Sequence, residues 1–146
     1  MSAKLFIDSN VFLYAVEEQD PAKSRLAEEW LRYAYRSGLG TSNLQVMNEI
    51  TNVLLKRVSM PPEQVFAIVD GFSALGISPI SRETVAAARI IRFETAYAWW
   101  DCLLLASAME LGCREFLSED LRDGHAVRGL TIVNPFRHSP PRPPLH

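Results

Sequence analysis

With 146 residues, 48% of them hydrophobic and 22% charged, the chain can form one domain with a sizeable core and is too apolar to be disordered. A formal net charge of −2 excludes a global basic field for holding nucleic acid, so any such binding needs a local patch or a metal ion. The two cysteines, Cys102 and Cys113, lie apart in apolar segments and lack the close spacing of zinc or redox pairs.

Lys4 to Asp8 reads as a short buried strand, after which Ser9 or Asn10 is placed to cap a brief helix through Val16. Asp20-Pro21 opens a longer helix from about Ala22 to Ser37, with Leu26, Trp30 and Tyr33 at helical spacing and Gly38 as its stop. Leu39 to Ser42 fits a second short strand. A helix from about Leu44 to Arg57 follows, burying Val46, Ile50, Val53 and Leu54, with Glu49 on the shoulder of that face. Pro61-Pro62 begins another helix, ending between Gly71 and Gly76. Ile77 to Ile80, interrupted by Pro79, fits an edge strand. Ser81, Glu83 and Thr84 open a helix reaching about Phe93, and Ala98 to Asp101 leads into an apolar helix through Leu111. Arg114 to Ser118 and Leu130 to Val133 are strands.

Helices alternating with short strands indicate an α/β domain with a mostly parallel sheet over residues 1–136. The remaining residues, 137–146, are Pro-rich and expected to be extended or disordered. No apolar run approaches the roughly 20 residues that span a bilayer. The opening residues lead into a strand rather than a signal-peptide core, so the expectation is a soluble, cytoplasmic protein with reduced thiols.

Four acids carry the functional signal: Asp8, Glu49, Asp101 and Asp120. Asp8 and Asp120 sit at or just past the carboxyl ends of strands, where parallel sheets bind ligands. Asp101 occupies the first turn of its helix, where the helix dipole favours an anion. Each has a bland alternative: a turn or cap for Asp120 and Asp8, a helix charge for Asp101, and an ion pair with Arg57 or Arg92 for Glu49. Together they are harder to dismiss. Two carboxylates about 4 Å apart repel by ~4 kcal/mol at an effective dielectric near 20, a large share of a net stability of ~5–15 kcal/mol. A hard divalent cation reverses that penalty. An oxygen-only donor set without His or Cys suits Mg²⁺ or Mn²⁺ rather than zinc. Such a site points toward hydrolysis of a phosphodiester.

At this point the chain resembles a known family. Asp8-Ser9-Asn10-Val11-Phe12-Leu13-Tyr14-Ala15 is similar to the opening motif of PIN-domain ribonucleases, and Asn48-Glu49 to their second acidic position. Trp100-Asp101-Cys102-Leu103-Leu104-Leu105-Ala106-Ser107-Ala108 resembles the third, Ser118-Glu119-Asp120-Leu121 the fourth, and Gly129 to Phe136 the final strand of VapC-type toxins. The likeness runs from Lys4 to Phe136. It implies an α/β/α sandwich around a mostly parallel sheet of about five strands, and a Mg²⁺- or Mn²⁺-dependent endoribonuclease that is the toxin of a toxin–antitoxin pair. Carried over by position, Asp8, Glu49, Asp101 and Asp120 would bind metal, Ser9 and Asn10 would orient Asp8 or cap the helix, and Asp123 would support the site.

Arg82, Arg89 and Arg92 share one helix face and are candidate RNA-backbone contacts, with a solvated face as the bland alternative. Trp100, beside Trp99, could stack a base or anchor the core. Aromatic residues of the first two helices (Phe12, Tyr14, Trp30, Tyr33 and Tyr35) could line a groove for an antitoxin helix or a homodimer contact. The competing classes are a non-cleaving RNA-binding module, a nuclease for structured DNA, and a phosphatase with Asp8 as nucleophile. The last wants a second Asp where Asn10 stands.

Overall fold

The computed structural model describes residues 3–57, 59–76 and 78–142. In chain order the elements are β1 (Leu5–Ile7), α1 (Ser9–Val16), α2 (Pro21–Ser37), β2 (Gly40–Thr41), α3 (Leu44–Leu55) and α4 (Pro62–Phe72). After a single 3₁₀ turn, Ser73–Leu75, come α5 (Arg82–Thr95), α6 (Trp99–Glu110), β3 (Glu115–Leu117), β4 (Ala126–Val127) and β5 (Leu130–Val133). The five strands form one sheet in the order β2-β1-β3-β5-β4, parallel except for the last pair. Every residue of β1 is buried, so both faces of the sheet are covered, as a parallel sheet with crossover helices requires. This is the mostly parallel α/β sheet that the alternating pattern predicts, with the five strands that the family resemblance implies.

The core begins with Phe6 and Phe116, partners in the β1–β3 register, whose rings stack at 5.3 Å between centroids with planes 3° apart. Gly40 lets the edge strand meet its helix: a Cβ there would overlap the Cβ of Ala34 on α2. Asn43, fully buried, caps α3 by accepting from Val46 N–H at 3.0 Å and donates its amide to Ser107 Oγ on α6 at 3.0 Å. That bond ties the two helices carrying Glu49 and Asp101.

Two local expectations are corrected. The cap of α1 is Asp8, not Ser9 or Asn10. Its backbone is extended, and its carboxylate accepts from Ser9 N–H at 2.7 Å. The edge strand expected over 77–80 is reduced, among the described residues, to one parallel bridge between Ser78 and Asn43, Ile77 lying outside them. Pro79 has no N–H to extend the ladder. A strand that the sequence reading did not anticipate is β4, which pairs antiparallel with β5 through a two-residue turn. Arg128 (φ 51°) and Gly129 (φ 84°) there adopt the left-handed backbone that tight hairpins demand. Of the Pro-rich tail, 143–146 lie outside the described residues. Near its start His138 contacts Asp123, and Trp30 Nε1 donates to the carbonyls of Pro135 and His138, both at 2.9 Å.

Candidate active site

The parallel pairing of β1 with β3 puts their carboxyl ends side by side, so the chain leaves both strands at the same edge of the sheet. Asp8 follows β1 directly and is 2% exposed. Ser118 and Asp120 follow β3, Ser118 wholly buried and Asp120 exposed. Ser118 Oγ donates to Asp8 Oδ2 at 2.8 Å and accepts from Asp120 N–H at 3.1 Å. Asn10, in the first turn of α1, aims its amide between the two strand ends, with Nδ2 3.1 Å from Asp120 Oδ2, 3.2 Å from Ser118 Oγ and 3.5 Å from Asp8 Oδ2. Residues more than a hundred positions apart thus share one hydrogen-bond network. Ser9 completes the set around Asp8, with its hydroxyl 3.5 Å from Oδ1.

Glu49 and Asp101 approach from the helices. Glu49 lies midway along α3, partly buried, and accepts from Gln45 Nε2 at 3.4 Å. The same Gln45 amide reaches the carbonyl of Trp100 at 3.4 Å, tying α3 to the first turn of α6, where Asp101 sits. Arg57, a candidate partner for Glu49 from sequence, is instead paired with Glu17 through two hydrogen bonds.

The electrostatics join the four acids. Burial pushes the Asp8 carboxyl from 3.8 up to about 7; the Ser118 hydroxyl and Ser9 N–H oppose the rise, and the charges of Glu49 and Asp120 add to it. Asp101 is also raised, first by burial and then by Asp120 and Glu49. Asp8 and Asp101 therefore each feel both Glu49 and Asp120. Among the described residues, however, no three His, Cys, Asp or Glu side chains are drawn together tightly enough to hold a metal ion as they stand. The donor chemistry fits a hard divalent cation: the four acids offer only oxygens, and one is buried at the cost of its own ionisation.

The remaining candidates are placed as follows. Asp123 accepts from Asn134 N–H at 2.8 Å and contacts His138 Nε2 at 2.9 Å, and these two partners lower its carboxyl below the usual range. None of its recorded partners belongs to the cluster. Arg82, Arg89 and Arg92 are exposed on α5. Arg92 is near enough to α6 for its charge to act on the Cys102 thiol, which burial nonetheless raises. Trp100 is 64% exposed and Trp99 36%, so neither anchors the core. Cys113 is buried and its thiol pushed up to about 11, which leaves it unreactive. Sequence reasoning passed over Ser118 as a site residue. Its signal was its position, two residues before Asp120 at a strand end.

A sequence model of the PIN domain matches residues 5–126. The chain belongs to the PIN-domain family. No curated protein sequence matches it. Among solved structures, a toxin–antitoxin complex from Klebsiella pneumoniae is similar at 18% identity and a TM-score of 0.64, over 92% of this chain and 98% of the other. DNA-bound VapBC from Salmonella typhimurium is similar at 18% identity and TM-score 0.66, over 90% and 97%. A sarcin-ricin-loop-cleaving VapC toxin from Mycobacterium tuberculosis is similar at 14% identity and TM-score 0.57, over 77% and 86%. At such identities the likeness speaks for the shared PIN fold. No described helix is long and apolar enough to cross a membrane.

Proposed function

We propose that this PIN-domain protein is a divalent-metal-dependent endoribonuclease, using Mg²⁺ or Mn²⁺, and that it is the toxin of a toxin–antitoxin pair. The observation that carries the reading is the juxtaposition of Asp8 and Asp120 on neighbouring strand ends, with Asp8 and Asp101 both raised by burial first and then by the charges of Glu49 and Asp120. A buried carboxylate in the field of other acids is a liability for folding and suits cation binding.

Asp8, Glu49, Asp101 and Asp120 would hold the cation, which when bound supplies charge to polarise a phosphate oxygen and acidify a water. The chain's own residues do the rest. Asn10 and Ser118 keep the Asp8 and Asp120 carboxylates facing one crevice. Asp120, the exposed acid, or Glu49 would accept a proton from the attacking water. Exposed Arg89 and Arg92 offset the site's repulsion of an anionic strand, and Trp100 offers a face on which a base can stack.

An antitoxin partner is supported by the similar structures from Klebsiella pneumoniae and Salmonella typhimurium, which are toxin–antitoxin complexes. A homodimer is supported by α5, which exposes Phe93 at 92% and Ile90 at 49%, an expensive arrangement for an isolated chain. The direct test is cleavage of purified cellular RNA with Mn²⁺, Mg²⁺ or EDTA, for the wild type and Asp101→Asn. Metal-dependent cutting that disappears in the variant is expected. Cutting that survives EDTA or the substitution removes the mechanism. Binding without cutting indicates a recognition module, and cleavage of structured DNA alone redirects the substrate.

A further inference from the structure

Glu119 lies between two residues of the cluster, Ser118 and Asp120, yet points away from it. Its Oε2 accepts from Lys23 Nζ of α2 at 2.8 Å. That ammonium is held on several sides. It lies 3.4 Å from Tyr14 Oη, 5.0 Å from the centroid of the Tyr14 ring and 5.3 Å from that of Phe136. The two rings meet edge to face at 4.9 Å. A surface ion pair between two free side chains contributes little, whereas here the cation is seated between aromatic faces that fix its position. Glu119 in turn holds the Lys23 ammonium above its usual pKa.

Across the backbone from this pair, Glu119 N–H points to Asn10 Oδ1 at 3.5 Å, and the next N–H, that of Asp120, donates to Ser118 Oγ at 3.1 Å. The loop is gripped by the acid network on one side and by Lys23 on the other. Asp120 is exposed, and its carboxylate has one recorded hydrogen-bond partner, Asn10, so its direction depends on the backbone that carries it. A rotation at Glu119 would swing Asp120 out of the crevice.

We infer that Lys23 is a positioning residue: by holding Glu119 it fixes the loop that turns Asp120 toward Asp8, and so sets how tightly the cluster takes a divalent cation. This rests on the metal-site reading proposed above. The sign of the effect separates it from simple electrostatics. Removing a positive charge near an acid cluster should strengthen cation binding by Coulomb's law. Loss of positioning weakens it.

The test uses the full chain with Lys23→Met, which keeps an apolar stem between the rings and removes the charge, beside Lys23→Arg and the exchange Lys23→Glu with Glu119→Lys. Two quantities are read: Mn²⁺ affinity by calorimetry, and the Asn10 side-chain amide signals in the NMR spectrum of the metal-free protein. Lys23→Met is expected to weaken Mn²⁺ binding about tenfold, as loss of a group that orients metal ligands does, and to move the Asn10 signals. Lys23→Arg and the exchange restore both. Unchanged or tighter Mn²⁺ binding with unmoved Asn10 signals overturns the inference. Should the wild type take up no Mn²⁺, the metal reading falls, and the Asn10 signals alone then decide whether Lys23 positions the loop. If Lys23→Met does not fold, Glu119→Gln is read by the same amide signals.

Discussion

Asp8→Asn should abolish metal-dependent cleavage while making the metal-free protein more stable. In the native state the Asp8 carboxyl titrates at about 7 instead of its ordinary 3.8, with burial as the largest cause. Between those values the folded chain keeps a proton that the unfolded chain has released. Native protein therefore binds more protons, and stability falls as pH rises through that window, levelling off above about 7. The gap, at about 1.36 kcal/mol per pH unit, amounts to about 4 kcal/mol of destabilisation at pH 8. Asparagine carries no charge and can still accept from Ser9 N–H, so the cap of α1 is kept. Its amide faces Asn10 and Ser118 less well than a carboxylate does, at a cost of about 1–2 kcal/mol. The expected outcome in urea denaturation with EDTA is a gain of about 2–3 kcal/mol at pH 8 that vanishes at about pH 5 and turns into a small loss by about pH 4. Mn²⁺ at about a thousand times its dissociation constant should reverse the order, since that stabilises the wild type by about 4.1 kcal/mol. A variant no more stable than wild type at pH 8 in EDTA, with the same slope against pH, would refute the account of Asp8 as an acid buried at a cost.

Three further outcomes follow from particular contacts. Gly40→Ala places a methyl against Ala34 and should destabilise the chain by about 1–3 kcal/mol through displacement of β2 from α2, read as a lower urea midpoint. Changing Arg89 and Arg92 together to Ala should weaken RNA binding and reduce the slope of log affinity against log salt by about 1–2; an unchanged slope would leave them a solvated face. Phe93→Glu, at a side chain 92% exposed, should leave folding intact and convert a dimer to a monomer in light scattering. Unchanged mass would remove α5 from any interface.

The sequence by itself determined the α/β class, the order of the helices and the positions of four acids at strand ends and helix faces. These are local properties: hydrophobic period, proline and glycine punctuation, and a carboxylate beside an apolar run. It misjudged where short strands end and turn. Asp8 becomes the cap of α1 because β1 ends one residue earlier than it was read to end. Among the described residues, the strand expected over 77–80 shrinks to a bridge because Pro79 cannot extend a ladder. The β4–β5 hairpin was invisible because Arg128 is an unusual occupant of a left-handed turn position, and the structure pairs it with Glu94. Only the tertiary structure decided that Asp8, Asn10, Ser118 and Asp120 share one network, because strand order follows from packing between segments far apart in the chain. The same holds for Lys23, an ordinary helix-surface lysine in sequence, which acquires a role only when α2 docks beside the loop after β3.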